Sequence, residues 1–199
     1  DEKGHEVDGD HIMILGAVYL KKQNKLANDT LVVTTMSNIG LHAAAKEYGI
    51  DLAITDVGDR YVIEEMKKSG HNLGGEQSGH MIFSDYNTTG DGVLSSLMLS
   101  KIIMEEKKPL SELASIMSVY PQVLVNVEVK NEVKNKFMEV EEIKNEITKI
   151  EEWMEGSGRV LIRPSGTQPL VRVMLEGKDE GQIRELAQGL ADLIKEKLA

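Results

Sequence analysis

Asp29-Thr30-Leu31-Val32-Val33-Thr34-Thr35-Met36-Ser37-Asn38 is the stretch on which the fold turns. Its centre, Leu31 to Thr35, is short, apolar and β-branched, which suits a strand buried on both faces. Ser37 or Asn38 can then cap a helix. Leu41, Ala44 and Ala45 supply that helix's inner face, and Gly49 stops it. A second strand, Leu52-Ala53-Ile54-Thr55, leads to a second helix with Val62, Ile63 and Met66 inward and Gly70 at its end. Strand and helix in alternation specify an α/β layer with parallel strands.

Upstream, Val7-Asp8-Gly9-Asp10 precedes a helical pattern at Ile12, Leu15, Gly16 and Tyr19, with Asp10 placed as the N-cap. Closely spaced carboxylates also suit a hard cation such as Mg²⁺. Capping already accounts for Asp10, however, and no further ligand follows nearby. Downstream of Thr89-Gly90-Asp91-Gly92, a helix with apolar residues at Val93, Leu94, Leu97, Met98, Ile102 and Ile103 is wide enough to predict burial on more than one side.

Tyr120-Pro121 marks a change of pattern and the predicted domain boundary. Beyond it come a strand (Val123 to Val129), a long acidic helix with Val140, Ile143, Ile147, Ile150 and Met154 on one stripe, two strands, and a terminal helix. The predicted architecture is therefore a three-layer α/β domain over residues 1–120 with a mixed, largely parallel sheet. A small α+β domain over residues 121–199, with an antiparallel sheet and two helices, follows it.

Two loops carry candidate chemistry. Between the strands of the small domain lies Arg163-Pro164-Ser165-Gly166-Thr167-Gln168-Pro169. A guanidinium can grip two phosphate oxygens at once, the hydroxyls of Ser165 and Thr167 add donors, and Gly166 lets backbone N–H groups approach closely. Arg159, Arg163 and Arg172 are three of the five arginines in the chain, so planar recognition is concentrated here. An ordinary turn between strands would use the same Pro, Ser and Gly. In the larger domain, ligands bind beyond the carboxyl ends of the strands. Thr35 to Asn38 and Asp56-Val57-Gly58-Asp59-Arg60 occupy such positions, with Asp59 and Arg60 as candidate ligand contacts. Gly74-Gly75-Glu76-Gln77-Ser78-Gly79-His80 presents a carboxylate, a hydroxyl and an imidazole on glycine-rich, exposed backbone. Vicinal sugar hydroxyls need such a carboxylate beside a hydroxyl, and His80 could transfer a proton. A glycine-rich turn with solvated side chains fits equally well.

Composition bounds the rest. The net charge of -10 argues against a broad footprint for nucleic acid or an anionic membrane, so an anionic ligand needs a local cluster of donors. The absence of cysteine excludes disulfides and thiolate sites and fits a reducing cytoplasm. No apolar run approaches the roughly 18 residues of a membrane span. The chain opens at Asp1 and reads as a piece of something longer.

With both loops quoted, the sequence resembles the C-terminal half of the α-D-phosphohexomutase family, as its third and fourth domains preceded by a few residues of the second. Gly74 to His80 resembles that family's sugar-binding loop and Arg163 to Thr167 its phosphate-binding loop; Val57 to Val62 and Thr89 to Gly92 also fit. The resemblance implies interconversion of 6-phospho and 1-phospho sugars through a phosphoserine, a bisphosphate intermediate and Mg²⁺, in the branch acting on glucosamine phosphates. Glu76 and Ser78 would hold sugar hydroxyls, and Arg163, Ser165, Gly166 and Thr167 the phosphate not being transferred. His80 matches a family histidine near the sugar. The family's S-H-N-P phosphoserine loop and D-G-D-x-D-R metal loop are absent, since Asp8-Gly9-Asp10 continues as His11-Ile12, and Gln168 stands where glutamate is usual. The expectation is a truncated chain, inactive alone, whose partners are a phosphorylated hexosamine, the missing N-terminal domains and, for the whole enzyme, a second copy. Phosphomannose or phosphoglucose substrates, or a stand-alone sugar-phosphate-binding module, are the alternatives.

Overall fold

In the computed structural model, Thr30–Thr34 forms β1, and every residue of it is buried. This strand is central. β2 (Asp51–Thr55) pairs with it in parallel on one side and β3 (Leu73–Gly75) in parallel on the other. β4 (Met81–Phe83) runs antiparallel to β3, which gives the order β2-β1-β3-β4. Residues 1–154 and 156–198 are described, and they divide into two compact units, Asp1–Val119 and Tyr120–Ala199, each with its own core.

Alternation along β1 builds the layers of the first unit. Leu31 and Val33 point into a core with α1 (Gly9–Lys22), α2 (Ile39–Glu47), α4 (Gly92–Glu106) and α5 (Leu110–Ala114). Val32 points the other way, against Ile82 and against Val62 and Met66 of α3 (Asp59–Ser69). Helices thus cover both faces of a mixed, largely parallel sheet.

Three local expectations are corrected. Asp8, not Asp10, caps α1, through its carboxylate and the His11 N–H at 3.1 Å. Asp10 lies inside the first turn with no exposure and accepts the Asn38 N–H at 2.7 Å. Gly74 and Gly75 are not exposed loop; both are buried in β3, because the strand is pressed between helices. A β-carbon at Gly74 would come within 2.9 Å of Val32, Val62 and Met66. Lastly, α4 buries one narrow face rather than several. Met98 and Ile102 are buried, while Val93, Leu97 and Met104 are 72%, 62% and 76% exposed. Apolar width in sequence reports capacity for burial, and the described residues use only part of it, chiefly through α1 and β4.

The second unit is an antiparallel sheet in the order β5-β7-β6, from β5 (Gln122–Glu128), β6 (Arg159–Pro164) and β7 (Leu170–Glu176). Val171, Val173 and Leu175 face α6 (Glu141–Met154) and α7 (Glu180–Leu198), meeting Ile143, Ile150, Ile183 and Leu190. Period-two alternation sends Arg172, Met174 and Glu176 to the opposite face. No helix among the described residues is long and apolar enough to cross a membrane.

Candidate functional site

The parallel strands β1, β2 and β3 all end at one edge of the first sheet, as their register requires. Three loops leave from that edge, and hydrogen bonds tie them together. Glu76, just beyond β3, accepts the Gly58 N–H through its carboxylate at 2.9 Å. Gly58 caps α3 with φ +131, backbone that L side chains rarely adopt, and so turns its amide toward the neighbouring loop. One carboxylate oxygen of Glu76 is thereby fixed. Ser78 and His80 are exposed on the same turn, with Ser78 Oγ and His80 Nδ1 3.2 Å apart, and the hydroxyl donates when that nitrogen is unprotonated. Glu76, Ser78 and His80 are therefore brought together. Asp59 and Arg60 lie at the start of α3 next to Gly58, yet Arg60 Nε donates to Glu64 one turn further on at 2.8 Å, and its pKa is raised by that partner.

In the second unit the turn between β6 and β7 is closed from within. Ser165 N–H donates to the Leu170 carbonyl at 2.9 Å, and Gln168 N–H donates to Ser165 Oγ at 3.2 Å. Ser165 is buried, while Gly166 and Thr167 are exposed. Lys134 clasps the turn from outside, donating from Nζ to the Ser165 carbonyl at 2.7 Å. A recess of about 580 Å³ beside the turn is lined by Glu128, Val129, Lys130, Gln168, Pro169 and Leu170. Arg163 and Thr167 do not line it, so the basic group sits on the sheet face instead.

The arginines separate by register. Arg163 on β6 lies directly opposite Arg172 on β7, so both side chains leave the same face, away from the helices. Among the described residues no carboxylate engages either of them, and the Arg172 Nε is buried without a hydrogen-bond partner. Arg159 is different. It forms an ion pair with the fully buried Glu176, which also accepts from Gln122, so it is committed to the fold. Sequence reading counted Arg159 and Arg172 alike. Only the strand register splits them, and only tertiary packing brings Lys134 to the turn.

Two adjacent cations in a chain of net charge -10, beside a turn of hydroxyls and backbone amides, carry the donor chemistry that a small, doubly charged anion requires. Among the described residues no group of three His, Asp or Glu could hold a metal ion. Asp8 is engaged by His11 and Asp10 by Asn38, so both carboxylates of the acidic triplet serve the fold.

Comparison with known proteins bears on the fold and the family. Residues 8–120 match the α/β/α domain III of phosphoglucomutase/phosphomannomutase, and residues 124–193 match its C-terminal domain. The chain belongs to the phosphoglucomutase/phosphomannomutase family. It is 74% identical over 199 residues to the phosphoglucosamine mutase of Clostridioides difficile and 60% identical over 198 residues to that of Caldanaerobacter subterraneus. It spans 44% of the length of each of these relatives. Among solved structures, Aspergillus fumigatus N-acetylphosphoglucosamine mutase superposes with a TM-score of 0.78 at 20% identity, over 95% of this chain and 43% of that one. The fungal enzyme has also been solved with GlcNAc-6P and magnesium; that structure gives a TM-score of 0.76 at 20% identity, over 94% of this chain and 47% of its own. At this identity the likeness is one of fold, and the phosphohexomutase fold is the one described above.

Proposed function

We propose that this chain is the substrate-binding half of a phosphosugar mutase that interconverts glucosamine 6-phosphate and glucosamine 1-phosphate. In this reading Arg163 and Arg172, with Ser165, Gly166 and Thr167, grip the phosphate that is not being transferred. Glu76 and Ser78 hold sugar hydroxyls. His80 stands beside Ser78 as a proton-transfer candidate, and Asp59 and Arg60 belong only to the rim, since Arg60 is already paired with Glu64. The observation that carries the reading is the cross-strand arginine pair without carboxylate partners, next to a closed turn of hydroxyls.

The division of labour follows from the reaction. A sugar bearing phosphate at either end must bind in two orientations, so an anchor for the idle phosphate fixes the reacting end. Phosphoryl transfer itself depends on positioning and charge stabilisation. The phosphoserine and the magnesium ligands belong, in this proposal, to N-terminal domains, and the bisphosphate intermediate forms there. The chain alone then binds weakly and turns nothing over, and the whole enzyme works in the cytoplasm.

The test has two parts. With the full-length enzyme, turnover of glucosamine, glucose and mannose phosphates is compared; preference for mannose phosphate would remove the glucosamine assignment. With this chain alone, calorimetry against glucosamine 6-phosphate should give weak binding, whereas sub-micromolar affinity would favour a stand-alone binding module.

A further inference from the structure

The triplet Asp8-Gly9-Asp10 has no part in the function above, yet its surroundings are specific. Gly9 opens α1, the helix most completely buried in the first unit. A helix's first amides have no partner of their own. The Gly9 N–H donates to the Gln77 carbonyl at 3.1 Å, inside the candidate sugar-binding turn. Contact is closer still at the α-carbon. A β-carbon on Gly9 would lie 2.5 Å from the carbonyl oxygens of both Gln77 and Glu76 and 2.8 Å from Gly79 N. That turn closes on itself through Gly79 N–H to the Glu76 carbonyl at 2.9 Å and Glu76 N–H to the His80 carbonyl at 3.0 Å. It therefore rests, as a rigid unit, on a position where only hydrogen fits.

The flanking aspartates complete the support. Asp8 accepts from both the backbone and ring nitrogens of His11, the latter at 2.6 Å. Burial pushes its carboxyl up, hydrogen bonds from His11 and Gln77 pull it down, and the net pKa lies below the ordinary 3.8. Asp10 accepts the Asn38 N–H, which anchors the loop after β1 to the same helix. From the other side Gly58 holds the Glu76 carboxylate. We propose that Asp8 and Gly9 are positioning residues that fix the turn carrying Glu76 and Ser78 for sugar binding. The turn has no buried apolar side chain of its own between Glu76 and His80. Holding it in one geometry before the ligand arrives removes an ordering cost from binding.

This inference rests on reading Glu76 and Ser78 as sugar contacts, and the experiment separates the two. In the full-length mutase, Gly9→Ala, Asp8→Ala, Asp8→Asn, Glu76→Ala and the core variant Ile102→Val are compared for KM, kcat and melting temperature. Displacing a binding turn by about 1 Å is expected to raise KM for glucosamine 6-phosphate roughly ten- to a hundredfold in Gly9→Ala and Asp8→Ala, with a smaller effect on kcat. Asp8→Asn keeps the acceptor oxygen and should recover most of the loss. Ile102→Val should lower the melting temperature without moving KM. Unchanged KM in Asp8→Ala, no recovery in Asp8→Asn, or an equal rise in KM in Ile102→Val would each overturn the positioning role while leaving the sugar contacts intact. Should Gly9→Ala fail to fold, the two Asp8 variants decide. If Glu76→Ala itself leaves KM unchanged, the sugar contact fails first and this inference falls with it.

Discussion

At the scale of single residues, the three arginines of one hairpin divide into two kinds. Arg159 neutralises a fully buried carboxylate, so Arg159→Ala should destabilise the second unit by about 3–5 kcal/mol, read as a shift in the urea midpoint. Arg172 has the opposite signature, a buried Nε with no partner. Arg172→Met should leave folding unchanged or improve it, and weaken phosphosugar binding by about 1.5–3 kcal/mol, the scale of a charged hydrogen bond. Stability and affinity moving together in Arg172→Met would contradict this. Asp8 makes a prediction in pH. Because its folded-state pKa lies below 3.8, the unfolded chain takes up the proton first. The stability it contributes is complete above the unfolded value and is lost as pH falls through the folded one. The difference in unfolding free energy between the protein and Asp8→Asn should be flat above about pH 5 and shrink below about pH 4; a flat difference down to pH 2 would refute it.

At the scale of elements, sequence periodicity is a good guide wherever the apolar residues match the surface that neighbouring elements cover. β1 and α6 bury nearly the residues their patterns select, since burial on one face or on both leaves a plain signature. It failed for α4, whose apolar residues exceed the surface that the described residues cover. Truncation in α4 should therefore divide sharply. Leu97→Ala is expected to cost under about 1 kcal/mol, whereas Ile102→Ala should cost about 2–5 kcal/mol, both by urea unfolding. Similar costs would mean that the exposed face is covered in solution. The glycine-rich stretch failed for a related reason. Glycines at 74 and 75 look like flexible backbone in sequence, but the absence of a side chain there serves close packing in β3.

At the scale of the whole molecule, the two units have cores that share no residue. Residues 120–199 expressed alone should fold, with a cooperative unfolding transition and dispersed NMR signals; a disordered spectrum would show that the second core is insufficient by itself. The sequence by itself determined the fold class, the two-domain pattern of most elements and the family, but not strand β3. Each of these depends on local chemistry: side-chain period, turn-forming residues, and donors clustered within a few positions. Tertiary structure alone decided which arginine is committed to a buried glutamate and which is left open to an anion. It likewise decided that Lys134 clasps the turn between β6 and β7 and that Gly9 packs against the turn from Glu76 to His80. Those facts depend on strand register and on contacts between residues far apart in the chain, and short-range patterns carry no information about distances that only folding closes.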